Sequence, residues 1–170
     1  FFFFFFFFFF FFFSTVEMDK VIDFKAVDYR GMNCVMLACE NGELERLKYL
    51  ISKGGSLDVV NAYGSSCSDV ACLGSHVDIV KYLLDEGLDM NKKKDDNSTC
   101  LHLACDVEVN IDIIELLLNA GADINAQDSY GNTSLMYVCY YGDEIAIKLM
   151  LDRGADWRLK NTDYETALYL

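Results

Sequence analysis

Seven cysteines and two histidines are the side chains with which this 170-residue chain could do chemistry. Thiolates and imidazoles ligate zinc or act as nucleophiles, and both uses demand close, specific spacing. The cysteines form two series instead: Cys34, Cys67 and Cys100, and Cys39, Cys72, Cys105 and Cys139. Members of a series follow one another at 33 or 34 residues, and the two series are five residues apart. That is not the C-x-x-C of a zinc site. Equivalent places in neighbouring units lie about 10 Å apart, one helix-packing distance, too far for a disulfide without distortion. The pattern therefore predicts small, buried packing residues, and an odd number of free thiols fits a reducing, cytoplasmic location. No nucleophile elbow and no Walker-type glycine loop is present. The stretch DINAQD (123–128) has the spaced acids of a calcium loop, but Asp128 stands where the turn glycine is required. No pair of carboxylates is set apart by an apolar setting. The expectation is no enzyme activity, no metal and no cofactor.

The spacing belongs to the whole chain. Gly31, Gly64, Asn97 and Gly131 keep the same period, as do Leu50, Leu83, Leu117 and Met150. A fixed period of this size means stacked repeats, each burying its apolar face on its neighbours. In the second half of each unit, apolar residues stand at i, i+3 and i+4: Leu47, Leu50 and Ile51; Val80, Leu83 and Leu84; Ile114, Leu117 and Leu118; Ile147, Met150 and Leu151. That is one face of an α-helix. Each such helix is expected to stop at a glycine, Gly54, Gly87, Gly121 or Gly154, which takes the left-handed C-terminal position. A shorter first helix is expected to start at Asn33, Ser66, Thr99 or Thr133, all good N-caps. It carries Ala–Cys pairs that let a neighbouring helix approach closely. Polar turns rich in Asn, Asp and Gly join the units and suit tight hairpins.

Those residues resemble the ankyrin repeat. TCLHLAC (99–105) and NAGADINAQDSYGNTSLM (119–136) are similar to the family pattern, and the resemblance runs from about Ile22 to Leu170. It implies an all-α solenoid of stacked helix–turn–helix units with short β-hairpin fingers. Units are expected at about 28–60, 61–93, 94–127 and 128–160, with a partial fifth at 161–170, inside a repeat domain spanning 18–170. Departures exist. The family's proline place holds Cys34, Cys67, Cys100 and Ser134. Ser68 and Asp69 replace the family's Leu and His, which marks unit two as the loosest. Asn97 replaces the turn glycine, where Asn tolerates left-handed geometry best. The resemblance also makes both histidines structural. His102 would order neighbouring turns by hydrogen bonds, and His76 would begin the second helix of unit two.

For function the resemblance implies protein–protein recognition by an adaptor or scaffold, through hairpin tips and the first helices on a concave face. Carried over by register, the contact residues are Tyr29, Arg30, Met32, Tyr63, Asp95, Asp96, Tyr130, Tyr140 and Tyr141. Glu40, Asn41, Ala62, Ser65, Leu73, Gly74, Ser98, Asp106, Val107, Ser129 and Asn132 lie beside them. Tyr and Arg are enriched at interface hot spots. Tyr63 and Tyr130 could equally pack across adjacent hairpins, since AYG and SYG recur at one place. The alternative role is a regulatory or targeting segment of a larger enzyme or channel whose other domain is missing; a spacer is a third.

Net charge is −13, which repels phosphate backbones and disfavours nucleic acid. Acid in unit three suits another protein with a basic feature, bound by a monomer. Lys92, Lys93 and Lys94 read as a solvated turn. Phe1–Phe13 is low-complexity sequence inside a 1–17 tail that reads as an artefact, translation of a thymine-rich tract with Met18 a candidate start or else filler; the alternatives are a signal or anchor and a genuine sticky segment. As a helix the run would span about 20 Å against roughly 30 Å of bilayer hydrocarbon, so no membrane span is expected. The register runs past both ends, which reads as an excerpt from a longer array or a faulty gene model.

Overall fold

The computed structural model describes residues 22–106 and 109–169; the 1–17 tail, the helix place near 10–20 and Val107 lie outside them. Eight helices in four pairs make up the described residues. Unit one holds α1 (Cys34–Glu40) and α2 (Leu44–Ser52), and unit two holds α3 (Cys67–Leu73) and α4 (Val77–Asp85). Unit three holds α5 (Cys100–Ala104) and α6 (Ile111–Asn119), and unit four holds α7 (Ser134–Tyr141) and α8 (Glu144–Asp152).

The first helices stack in series, α1 on α3, α3 on α5 and α5 on α7, and α4 packs on α6. Ala38, Cys39, Ala71, Cys72, Ala104 and Cys105 are buried between them, so small side chains do set the close approach. The second helices cover this row with the anticipated stripe. Leu47, Leu50, Val80, Leu83, Ile114, Leu117 and Met150 are buried, while Leu151, the last of its triplet, is exposed. Each fully buried aliphatic side chain stabilises by about 1.5–3 kcal/mol relative to exposure.

Both ends of these helices follow local chemistry. The Asn33 side chain accepts from the amides of Val35 and Met36, each at 3.0 Å. At the C-termini, Gly121 at φ +86° donates to Leu118 O at 3.1 Å and Ala122 donates to Leu117 O at 3.0 Å. The same pair of bonds closes α2, α4 and α8. It is the left-handed glycine cap with its two returning bonds.

Unit two is not loose. Ser66 N and Ser66 Oγ both donate to Asp69 Oδ2 at 2.7 Å, and the Cys100 thiol reaches Asp69 Oδ1 at 3.4 Å. Asp69 thus replaces the missing histidine with a capping box tied to unit three.

The fingers between units are tighter than hairpins with strands. Isolated antiparallel bridges join Val60 to Ser66 and Gln127 to Thr133, and no strand occurs among the described residues. The turns are held by side chains instead. Asp28, Asn61, Asp128 and Asn161 each use one Oδ1 to accept two finger amides at 2.8–2.9 Å (3.0 Å for Asp163 N). Lys94 occupies that place in unit three, where Asp96 Oδ1 takes over by accepting from Ser98 N and Oγ. Successive fingers are linked by Ala62 N to Arg30 O, Ser129 N to Asp96 O and Thr162 N to Tyr130 O, at 2.8–3.0 Å.

Candidate functional site

The site residues fall on the face built from the fingers and the first helices. Tyr29, Tyr63, Tyr130 and Tyr140 are 93%, 63%, 67% and 70% exposed. They do not bury themselves across adjacent hairpins. Tyr140 and Tyr141 close α7 side by side, with ring centroids 5.3 Å apart at 85°. The Tyr141 hydroxyl also donates to Asp106 Oδ1 at 2.8 Å, tying unit four to unit three.

Arg30 is held from within its own unit. Its Nε lies 3.0 Å from Asp28 Oδ2, and Nη2 lies 2.9 Å from Glu40 Oε2 on α1, with Nη1 on the other Glu40 oxygen. Glu40 first and Asp28 second push the guanidinium pKa above its ordinary value, so the charge is fixed. The Tyr29 ring centroid sits 5.8 Å from Arg30 Cζ.

Met32 corrects the expected set. It is 1% exposed, folded into the core, and receives Asn61 Nδ2 at 3.4 Å on its sulfur. Met32 starts the packed segment that leads into α1. Ser98, at the corresponding place in unit three, is also buried, while Ser65 and Asn132 are half-buried.

Asp95 and Asp96 are both exposed. Burial works to raise the Asp96 carboxyl, but Ser98 and the Lys94 ammonium at 3.5 Å outweigh it and hold the pKa below the usual value. Arg30, Glu40, Tyr63, Leu73, Asp95 and Asp96 come together around an open groove of about 650 Å³. Tyr130, Tyr140 and Tyr141 are separate from it, in unit four. The register also gave Glu40 and Leu73 as contact positions, and both line the groove. Sequence reasoning missed Tyr164, which occupies the turn-glycine place at φ +65° and is 82% exposed. The signal was available, because the register puts Tyr164 33 residues after Gly131.

Both histidines make hydrogen bonds within the stack. His102 Nδ1 accepts from Thr99 N at 3.1 Å, so Nε2 carries the proton and donates to Asn132 O at 3.2 Å. Burial lowers its pKa. His76 caps α4 and uses Nε2 on Glu40 O at 2.8 Å. The cysteines meet across units in a way the period alone hides. Cys39 lies against Cys67 and Cys72 against Cys100, while Cys105 lies against Ser134. The five-residue offset between the series carries the last turn of one first helix to the start of the next. The Cys67 thiol and burial raise the Cys39 pKa; the Cys72 thiol and burial do the same to Cys100. Both stay protonated, the unreactive form. Among the described residues, no group of three His, Cys, Asp or Glu is placed to hold a metal, and no helix is long and apolar enough to cross a membrane.

The described residues form a repeat stack with a polar–aromatic face. A comparison with curated proteins finds no match. The family model described as ankyrin repeats (3 copies) matches residues 10–94 and 86–161, most of the chain. Period, paired helices, glycine caps and that match agree: the chain belongs to the ankyrin-repeat family.

Proposed function

We propose that this chain is a cytoplasmic, monomeric adaptor or scaffold segment without catalysis of its own. It holds another protein, one with a basic feature, on the concave face made by fingers and first helices. Ankyrin repeats are in general protein–protein interaction modules. The observation that carries the reading is the set of exposed tyrosines, Tyr63, Tyr130, Tyr140 and Tyr141, with the exposed Asp95 and Asp96 between them along the stack. Tyrosine supplies large contact area at little entropic cost, and carboxylates select the partner by charge.

The test is affinity purification with immobilised protein, followed by binding measurements on the captured partner. Tyr140→Ala/Tyr141→Ala is expected to weaken binding at least about tenfold, or about 1.4 kcal/mol. Asp95→Lys/Asp96→Asn should do the same while keeping the oxygen that anchors finger three. Ile145→Ala, an exposed site on α8, should leave binding unchanged. A partner indifferent to both face variants excludes this face.

A further inference from the structure

Unit one shows how this face treats a cation. Its own Arg30 lies between Asp28 of the finger and Glu40 of α1, beside the Tyr29 ring. By register, the place of Arg30 is taken by Tyr63, Asp96 and Tyr130 in the next three units, and that of Glu40 by Leu73, Asp106 and Tyr140. Unit two therefore pairs Tyr63 with Leu73, and unit three pairs Asp96 with Asp106. Unit four pairs Tyr130 with Tyr140. The face runs apolar, acidic, aromatic along the stack. Where unit one supplies its own guanidinium, unit three supplies acid at both places.

The spacing along the stack converts into a spacing along a ligand. Neighbouring first helices pack about 10 Å apart, and a polyproline-II segment rises about 3.1 Å per residue with three residues per turn. One unit thus corresponds to about three residues of such a segment, and residues three apart face the same side. We propose that the groove and the adjoining unit-four tyrosines take a segment of the partner protein in the extended polyproline-II conformation with the pattern apolar-x-x-basic-x-x-apolar. The basic residue docks at Asp95 and Asp96, one apolar side chain at Tyr63 and Leu73, and the other at Tyr130 and Tyr140. This rests on the reading of this face as the binding surface.

Charge complementarity selects that occupant. The chain carries −13, and the groove's own cations are engaged, Arg30 by Asp28 and Glu40 and Lys94 by Asp96. A wholly apolar ligand would desolvate the Asp95 carboxylate, which has no ion pair among the described residues, without pairing it. A second copy of this acidic chain would bring like charge to like charge. Arginine also stacks on tyrosine faces, which flank the acid on both sides.

The test uses fluorescein-labelled peptides of about nine residues, with a central arginine, leucines three residues to either side, and serine or glycine elsewhere. Fluorescence polarisation reads their affinity for the whole protein. Shifting both leucines one residue outward, or replacing the arginine by glutamate, should weaken binding at least about tenfold. Asp95→Lys/Asp96→Asn should reverse the preference so that the glutamate peptide binds better. Leu73→Ser/Tyr140→Ser, checked for native circular dichroism, should abolish the benefit of correct leucine spacing while leaving the preference for arginine. Equal binding of all spacings, or an unchanged arginine preference in the charge-altered protein, overturns the inference. So does failure of every peptide while a captured partner still depends on Tyr140, Tyr141 and Asp95; that outcome leaves the proposed function standing.

Discussion

Individual side chains in this protein are mostly committed to holding the stack, and their reactivity follows from that. Cys39, Cys67, Cys72, Cys100 and Cys105 are buried, while Cys34 and Cys139 are half-buried. Alkylation of the native protein with iodoacetamide, read by mass spectrometry, should label Cys34 and Cys139 first. The other five should react only at the rate of unfolding, because buried, protonated thiols are poor nucleophiles. Rapid native labelling of Cys72 or Cys100 would contradict the packing described. Tyr141 has two functions to separate. Tyr141→Phe keeps the ring beside Tyr140 but removes the bond to Asp106, so it should loosen the unit three–four contact by about 1 kcal/mol. Partner binding should fall much less than with Tyr141→Ala. The face tyrosines were legible as places in the register. The burial of Met32 was not, because a hydrophobic residue at a turn exit has the same sequence signature whether it points in or out.

Helix ends give the sharpest tests at the next level of organisation. Gly121 sits at φ +86° with open space where a Cβ would go, so only its backbone conformation demands glycine. Gly121→Ala should therefore cost about 1–2 kcal/mol, measured by urea denaturation. Gly31 is different, since a Cβ there would come 2.7 Å from Ala62 N and disturb the finger-to-finger bond as well. The α5 start depends on His102. Burial lowers its pKa below 6.5, so the unfolded chain takes up a proton more readily than the folded one. The stability it contributes is complete above pH 6.5 and is lost as pH falls through that value, levelling off below the folded pKa. Melting temperature should drop between about pH 7.5 and about pH 5.5, and His102→Gln should flatten that drop. Glutamine can still accept from Thr99 N, as in a capping box. A slope unchanged in the variant would assign the effect elsewhere. Helix positions and caps were readable in advance because they depend on neighbours within one unit. The link from Asp69 of the Ser66–Asp69 box to the Cys100 thiol was not, since that thiol comes from the next unit.

Across the whole molecule, 27 acidic residues face only 14 basic ones. Self-repulsion at that imbalance opposes compaction and is screened by salt. Raising sodium chloride from about 0.02 M to about 0.3 M should raise the melting temperature while weakening the bound basic segment, since the same field drives both. A melting temperature that falls with salt would show that the local ion pairs outweigh the net charge.

The period, the helix pairs and the glycine caps were all present in the order of residues. Each depends on interactions a few residues apart, repeated at 33 or 34. Three features came only from packing: the contacts Cys39–Cys67 and Cys72–Cys100, the burial of Met32, and the clasp of Arg30 by Glu40. The clasp depends on how the finger folds back over α1 within unit one, and the cysteine contacts depend on how one unit turns and rises onto the next. That rotation is a property of side chains interlocking between units, and no periodicity within the chain encodes it. The acid left at the Arg30 and Glu40 places in unit three acquires meaning only when the clasp in unit one is seen.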